Sequence, residues 1–259
     1  MATAKETPRL SDQELAELIA LTKGADSVEL KLTVPVSDRS RGAAALGVDP
    51  LDAQIRQVYF FDTPDLTLNK SGVVVRARRV QGKGDDTVVK LRPIDPKELA
   101  AELRDSPNFG VEVDAMPGGF VCSGSMKRAL KKPEVRDTVL ENRSIRRLYS
   151  KEQRALHAAY APEGLELDDL SILGPITVLK LKFEPQGLER RLVAELWLYP
   201  DNSMILELST KCAPSEAFQV AAETRAFLTE KGVDLTGEQE TKTKKALEYF
   251  SERLQTGGD

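Results

Sequence analysis

Between Ser27 and Val34 apolar and polar residues alternate. Val28, Leu30, Leu32 and Val34 fall on one side of an extended chain, and Ser27, Glu29, Lys31 and Thr33 on the other. Side chains of a strand point alternately to opposite faces, so this segment predicts a strand, running to about Val36, with one greasy and one charged face. The construction recurs. Gln54–Phe61, Val73–Arg79, Thr87–Arg92, Phe109–Asp114, Ile176–Phe183, Arg191–Tyr199 and Met204–Lys211 also read as strands. Gln81–Asp86, with two glycines, predicts a hairpin connection, and Pro200–Asn202 another turn.

Helical spacing frames and interrupts this pattern. Ser11–Gly24 opens on a Ser11/Glu14 capping box, carries Leu15, Leu18, Ile19 and Leu21 as a stripe, and stops at Gly24. Pro214 to about Lys231 and Gln239–Arg253 predict two C-terminal helices. Ser37–Ala53 reads as a loop with a short helical piece, Asp65–Ser71 as one helical turn, and Pro96–Arg104 as a short helix. Over Ser125–Leu170 the alternation disappears, and Ser150 with Gln153 caps a helix to about Tyr160. This stretch is expected to be a helical insertion packed outside the sheet.

Roughly eight strands are enough for a sheet to close on itself around a narrow interior. The expected fold is therefore α+β: a β-sheet of roughly eight strands, able to close on itself, with helices outside. No linker or repeat divides the chain. Residues 1–259 read as a single domain, with an N-terminal helix in 1–25, the insertion at 125–170 and the C-terminal helices at 214–254.

Composition narrows the function. The 259 residues carry a formal net charge of -4, which argues against a general nucleic-acid or membrane-surface binder but not against a local basic site. No apolar run approaches a membrane span, and Met1–Arg9 lacks the apolar core of a signal segment. Cys122 and Cys212 form no framework or metal spacing, so a reducing, cytoplasmic setting is expected. His157 is the only histidine and reads as a surface or packing residue. A metal here must use oxygen ligands, which points to Mg²⁺ or Mn²⁺ rather than zinc.

The charged faces then acquire a meaning. Their basic members are Lys31, Arg76, Arg78, Lys90, Arg92, Lys180, Lys182, Arg191 and Lys211; their acidic members are Glu29, Glu112, Asp114, Glu195 and Glu207. If these line one cavity, cations prevail. Unpaired like charges are costly to bury, so such a lining suits a wet site holding a multiply charged anion. Arginine forks and lysine points fit phosphate oxygens. The carboxylates would repel that ligand unless a divalent cation lies between them and it. Solvated faces with weak cross-strand ion pairs are the alternative. No phosphate-loop or dinucleotide-fold glycine pattern is present, since Gly82-Lys83-Gly84 falls in the hairpin turn.

In order along the chain, these motifs resemble the CYTH superfamily, the triphosphate tunnel metalloenzymes. Ser27-Val28-Glu29-Leu30-Lys31 is similar to the family's opening E-x-E-x-K strand. Tyr59–Pro64 resembles its Y-F-D-T segment, Gly72–Arg78 its G-x-x-x-R-x-R strand, and Lys90-Leu91-Arg92 its next basic strand. Glu207-Leu208-Ser209 stands where a late E-x-E is expected, and Lys242-Thr243-Lys244 resembles the C-terminal K-[ST] segment. The resemblance implies a closed antiparallel β-tunnel of roughly eight strands that binds a triphosphate, with Mg²⁺ or Mn²⁺ on the acidic residues. Arg76, Arg78, Lys90, Arg92, Lys180, Lys182, Arg191 and Lys211 would then hold phosphates. Lys31 would orient the attacking water, or deprotonate it if its neighbours lower its pKa. Ser27 and Ser209 replace two glutamates that the family uses for metal.

Three functions stay open: a metal-dependent triphosphatase, an adenylate cyclase, and a non-catalytic polyphosphate or nucleotide module. The expected partner is a small triphosphate (tripolyphosphate, a nucleoside triphosphate or thiamine triphosphate) rather than nucleic acid or a membrane, and a homodimer is allowed.

Overall fold

The computed structural model describes residues 11–35, 39–234 and 241–256. The strands are β1 (Ser27–Val34), β2 (Gln54–Asp62), β3 (Val73–Val80), β4 (Asp85–Leu91), β5 (Phe109–Met116), β6 (Gly119–Leu130), β7 (Ser171–Phe183), β8 (Leu192–Leu198) and β9 (Met204–Cys212). The helices are α1 (Asp12–Lys23), α2 (Arg39–Ala45), α3 (Thr67–Lys70), α4 (Ala101–Arg104), α5 (Glu134–Leu140), α6 (Lys151–Tyr160), α7 (Ala217–Glu230) and α8 (Lys242–Thr256). The expected run of the first strand to Val36, the loop start at Ser37, the start of the last helix at Gln239, and the N-terminal residues before Ser11 lie outside the described residues.

The sheet closes in the order β1-β5-β6-β4-β3-β2-β7-β8-β9, with β9 returning to β1. Two expectations are corrected. The barrel has nine strands rather than eight, and it is mixed rather than antiparallel, because β1 and β5 run parallel with Ser27 opposite Glu112 and Glu29 opposite Asp114.

The additional strand is β6, whose end occupies the stretch from Ser125 that was expected to be helical; helix begins only at Glu134. Its buried positions Cys122, Ser123 and Gly124 hide the alternation, and small residues are demanded by close packing. A Cβ at Gly124 would lie 2.3 Å from the Phe109 ring. β7 begins earlier than Ile176 for a related reason. It is bent at Gly174, where a Cβ would come within 2.9 Å of the Val58 carbonyl, beside a register shift between Val58 and Phe60.

Most of the apolar core lies outside the barrel. Val28, Val73, Val75, Val89, Val111 and Val113 face outward and pack under Leu148, Tyr149 and Leu156 of the 134–170 region. α7 covers β1, β8 and β9 from outside through Phe227 and Leu228, whereas α8 packs Ala246, Leu247 and Phe250 into a cluster with the inner-face residues Val58, Phe60, Val178 and Trp197. Away from that cluster, period-two alternation turns the charged side chains to the inner face.

Two buried polar residues fix this outer layer. Gln153, fully buried on α6, donates its amide to the Thr87 and Met126 carbonyls at 3.2 and 3.1 Å, and accepts from the Thr87 hydroxyl at 3.1 Å. Buried polar groups of this kind are costly to leave unpaired, so Gln153 sets the seat of α6 on β4 and β6. Asp62 accepts from the Thr63, Leu68 and Asn69 amides at 2.8–2.9 Å, which anchors α3 and brings Asn69 to the tunnel wall. His157 is buried on α6 and serves packing. No helix among the described residues is long and apolar enough to cross a membrane.

Candidate functional site

The barrel encloses a cavity of about 630 Å³. Twelve basic side chains line it against four carboxylates, and one more carboxylate, Asp114, is buried in the wall among them. Of the residues singled out from sequence, Lys31, Arg76, Arg78, Lys90, Arg92, Lys180, Lys182 and Lys211 all reach the lining, as do Glu29, Glu112, Glu195 and Glu207. Arg191 does not. Its side chain is 62% exposed and pairs with Glu184 at 3.1 Å. The strand starts at Leu192, so the inward alternation does not extend to it.

Four further tunnel cations were not in the expected set. Arg56 precedes Val58 and Phe60 on the inner face of β2, and its alternation with them was the available signal. Lys127 was hidden with β6. Lys242 and Lys244, noted only as part of the C-terminal motif, enter from α8.

Two charge clusters organise the interior. In the first, Asp114 sits at the centre with no exposed side-chain surface, holding Lys31 at 2.8 Å, Arg92 at 3.2 Å and Lys90 at 3.6 Å. Burial alone would raise the Asp114 carboxyl, but these cations outweigh it and hold it at about 2. Burial likewise opposes the Lys31 ammonium, yet Asp114 and Glu29, the latter 3.0 Å away, hold it above its ordinary value. Lys31 therefore stays a cation. The lowered pKa on which a role as base depended is not found.

Lys90 has the opposite balance. Burial pushes it down, Lys31 and Arg92 add to that, and the more distant Asp114 only partly compensates, leaving it at about 8. A pH dependence follows. Below pH 8 Lys90 contributes a positive charge to the tunnel, and above it that charge is lost. Tripolyphosphate affinity, measured by calorimetry, is expected to fall as pH rises from about 7 to 9 through this value, and Lys90→Arg should flatten that fall. Because the unfolded lysine keeps its proton to about 10.4, stability should rise over the interval in which anion affinity drops.

In the second cluster, Lys242 contacts Glu195 at 2.5 Å and Glu207 at 2.7 Å, while Lys180 holds Glu195 at 2.6 Å. Burial would raise Glu195, but Lys242 and Lys180 keep it well below the usual carboxylate range.

The metal-competent oxygens belong to the first cluster. One carboxylate oxygen from each of Glu29, Glu112 and Asp114 lies within 4.8 Å of the others. Opposite ligands of an octahedral Mg²⁺ are about 4.2 Å apart, so this all-oxygen set fits a hard divalent cation after shifts of a few tenths of an ångström. The two serines at the expected glutamate positions are hydrogen-bonded to this set. Ser27 donates to Glu112 at 3.4 Å and Ser209 to Glu29 at 3.2 Å. Glu112 also pairs with Lys211.

No family model and no curated protein matches the chain. Solved structures do. A protein from Hippeastrum, described as a candidate adenylyl cyclase with a dominant triphosphatase activity, superposes with a TM-score of 0.62 at 15% identity over 88% of this chain and 95% of that one. A candidate adenylate cyclase from Bacillus halodurans gives 0.59 at 14% identity over 85% and 97%. At such identities the likeness assigns the fold, which is CYTH-like.

Proposed function

We propose that the tunnel binds a triphosphate and hydrolyses it with the help of Mg²⁺ or Mn²⁺. The observation that carries this reading is the convergence of twelve cations from distant parts of the chain on one enclosed cavity with a three-carboxylate oxygen set in its wall. Arg76, Arg78, Lys90, Arg92, Lys180 and Lys182 would bind the phosphate oxygens, Lys211 and Lys127 would act at the exposed rim, and Arg56 would add a further fork. In the resting tunnel many of these cations are held by carboxylates, so a polyanion competes for partners that are already positioned and adds no new ordering cost.

Glu29, Glu112 and Asp114 would hold the metal, which supplies charge neutralisation at the transferring phosphoryl group. Glu112 would stand in for the carboxylate missing at Ser27, because the parallel β1–β5 register puts the two residues side by side. Glu195 and Glu207, occupied by Lys242, are not needed for it. Lys31 would orient the attacking water as a hydrogen-bond donor. The water's proton would leave on the product phosphate while the terminal anhydride bond breaks and pyrophosphate or a diphosphate departs.

The triphosphatase activity described for the Hippeastrum neighbour favours hydrolysis over cyclisation of ATP. Phosphate release from tripolyphosphate, nucleoside triphosphates and thiamine triphosphate, each with Mg²⁺ and with Mn²⁺, tests the proposal. Release is expected with at least one substrate. It should be abolished by EDTA, and reduced on the order of 10²-fold by Lys31→Ala or Glu112→Gln. Cyclic AMP among the products would support the cyclase instead, and tight binding without turnover would leave a binding module.

A further inference from the structure

A second cavity, of about 340 Å³, opens on the outer side of the barrel where β2 begins and β3 ends. It is lined by Arg56, Arg79, Lys132 and Arg136, with Gln57 and Gln81 between them. The one carboxylate in its wall, Asp85, is buried and accepts from the Val80 amide at 3.1 Å; Arg79 and Lys132 act on it from the groove, so it offsets about one of the four positive charges there. Arg79 is oriented by the Gln57 side chain at 2.6 Å. Arg56 lines both this groove and the tunnel, so the two basic surfaces meet at a shared guanidinium.

We infer that the anion path of the tunnel continues past Arg56 into this groove, and that the ligand class is a linear polyphosphate chain longer than three phosphates, its outer units held by Arg79, Lys132 and Arg136. The groove has the character such a chain requires. Its cations come from separate segments of the chain, β2, β3 and the 132–136 stretch, its neutral polar side chains are amides, and no aromatic platform for a base lines it. A polyanion of repeated phosphates gains one weak contact per exposed cation, and these contacts are linked by a single chain.

The inference rests on the tunnel being an anion site, and the test separates the two. Binding of tripolyphosphate and of a polyphosphate of about fifteen units is measured by calorimetry on the wild type and on the triple variant Arg79→Gln/Lys132→Gln/Arg136→Gln. The wild type is expected to bind the long chain more tightly by on the order of tenfold. The variant should lose that preference and keep its tripolyphosphate affinity. A longer chain can also bind in more registers, but that advantage is the same for both proteins, so the difference between them reports the groove. Lys132→Glu/Arg136→Glu, which changes only side chains at the surface, is expected to give the same loss and guards against a fold defect from Arg79→Gln. A preference that survives in both variants, or equal affinities in the wild type, overturns the extension while leaving the tunnel reading intact. Failure of the wild type to bind tripolyphosphate at all overturns both.

Discussion

Asp114→Asn is expected to destabilise the protein by about 3–5 kcal/mol, and tripolyphosphate to restore much of the loss. The asparagine preserves shape but leaves Lys31, Lys90 and Arg92 converging on a neutral amide in a wall with no exposed side-chain surface. Removing one partner of a buried ionic cluster costs more than the cluster contributed, because the remaining charges keep their desolvation penalty. Lys90, already down at about 8, is the first expected to shed its proton. A polyanion that binds only the folded state stabilises by RT ln(1 + [L]/Kd), about 2.7 kcal/mol at a hundredfold excess over Kd. Its gain should be larger in the variant, where the cations have lost their competitor. Mn²⁺ should help the variant less than the wild type, since one of three carboxylates is gone.

The pH dependence has a definite sign. A carboxyl held at about 2 when folded and near 3.9 when unfolded contributes stability above about pH 4 that is lost as pH falls toward 2. The acid limb of the stability curve should therefore be flatter in the variant. Urea denaturation with and without each ligand checks all of this. An unchanged midpoint, or equal rescue by tripolyphosphate and Mn²⁺, would show that these cations are not an anion site.

The inner face of the barrel was legible because period-two alternation is a local property. Lys31, Arg76, Lys90 and Lys180 could be assigned to one surface without knowing which strands are neighbours. What alternation cannot reveal is pairing across strands. That Lys31 is caught between Glu29 and Asp114 follows from the parallel β1–β5 register, which is non-local, and that contact is what keeps Lys31 protonated. β6 was illegible because close approach to Phe109 requires glycine at 124, where a strand normally shows bulk. Arg191 failed by extrapolation. The inward series at Glu195 and Trp197 is real, but the chain leaves the sheet before it reaches residue 191. Arg56 stands singly on an otherwise apolar inner face, whereas Arg76 and Arg78, Lys90 and Arg92, and Lys180 and Lys182 come in pairs on their strands.

Lys242→Met should reverse the linkage expected for Asp114→Asn. Lys242, the first residue of α8, holds Glu195 and Glu207 and lies 5.2 Å from the centre of the Trp197 ring. Glu195 and Glu207 are direct register partners on β8 and β9, so two carboxylates share one small region of the wall. Methionine keeps much of the length and the apolar stem while deleting the charge. Glu195 retains Lys180 at 2.6 Å, but Glu207 loses its ion pair. A loss on the order of 3 kcal/mol is expected, the lower end of the range for breaking a buried pair, because one partner is still neutralised. The tunnel also becomes one charge more negative there. Tripolyphosphate should then stabilise the variant less than it does the wild type, and Mn²⁺ should stabilise it more, since the freed carboxylates add oxygen donors that Lys242 had occupied. The same urea titrations give the answer. The division of the tunnel into a cation cluster around Asp114 and a carboxylate cluster around Lys242 requires opposite responses in the two variants; a common direction would mean that the charges act as a single diffuse field.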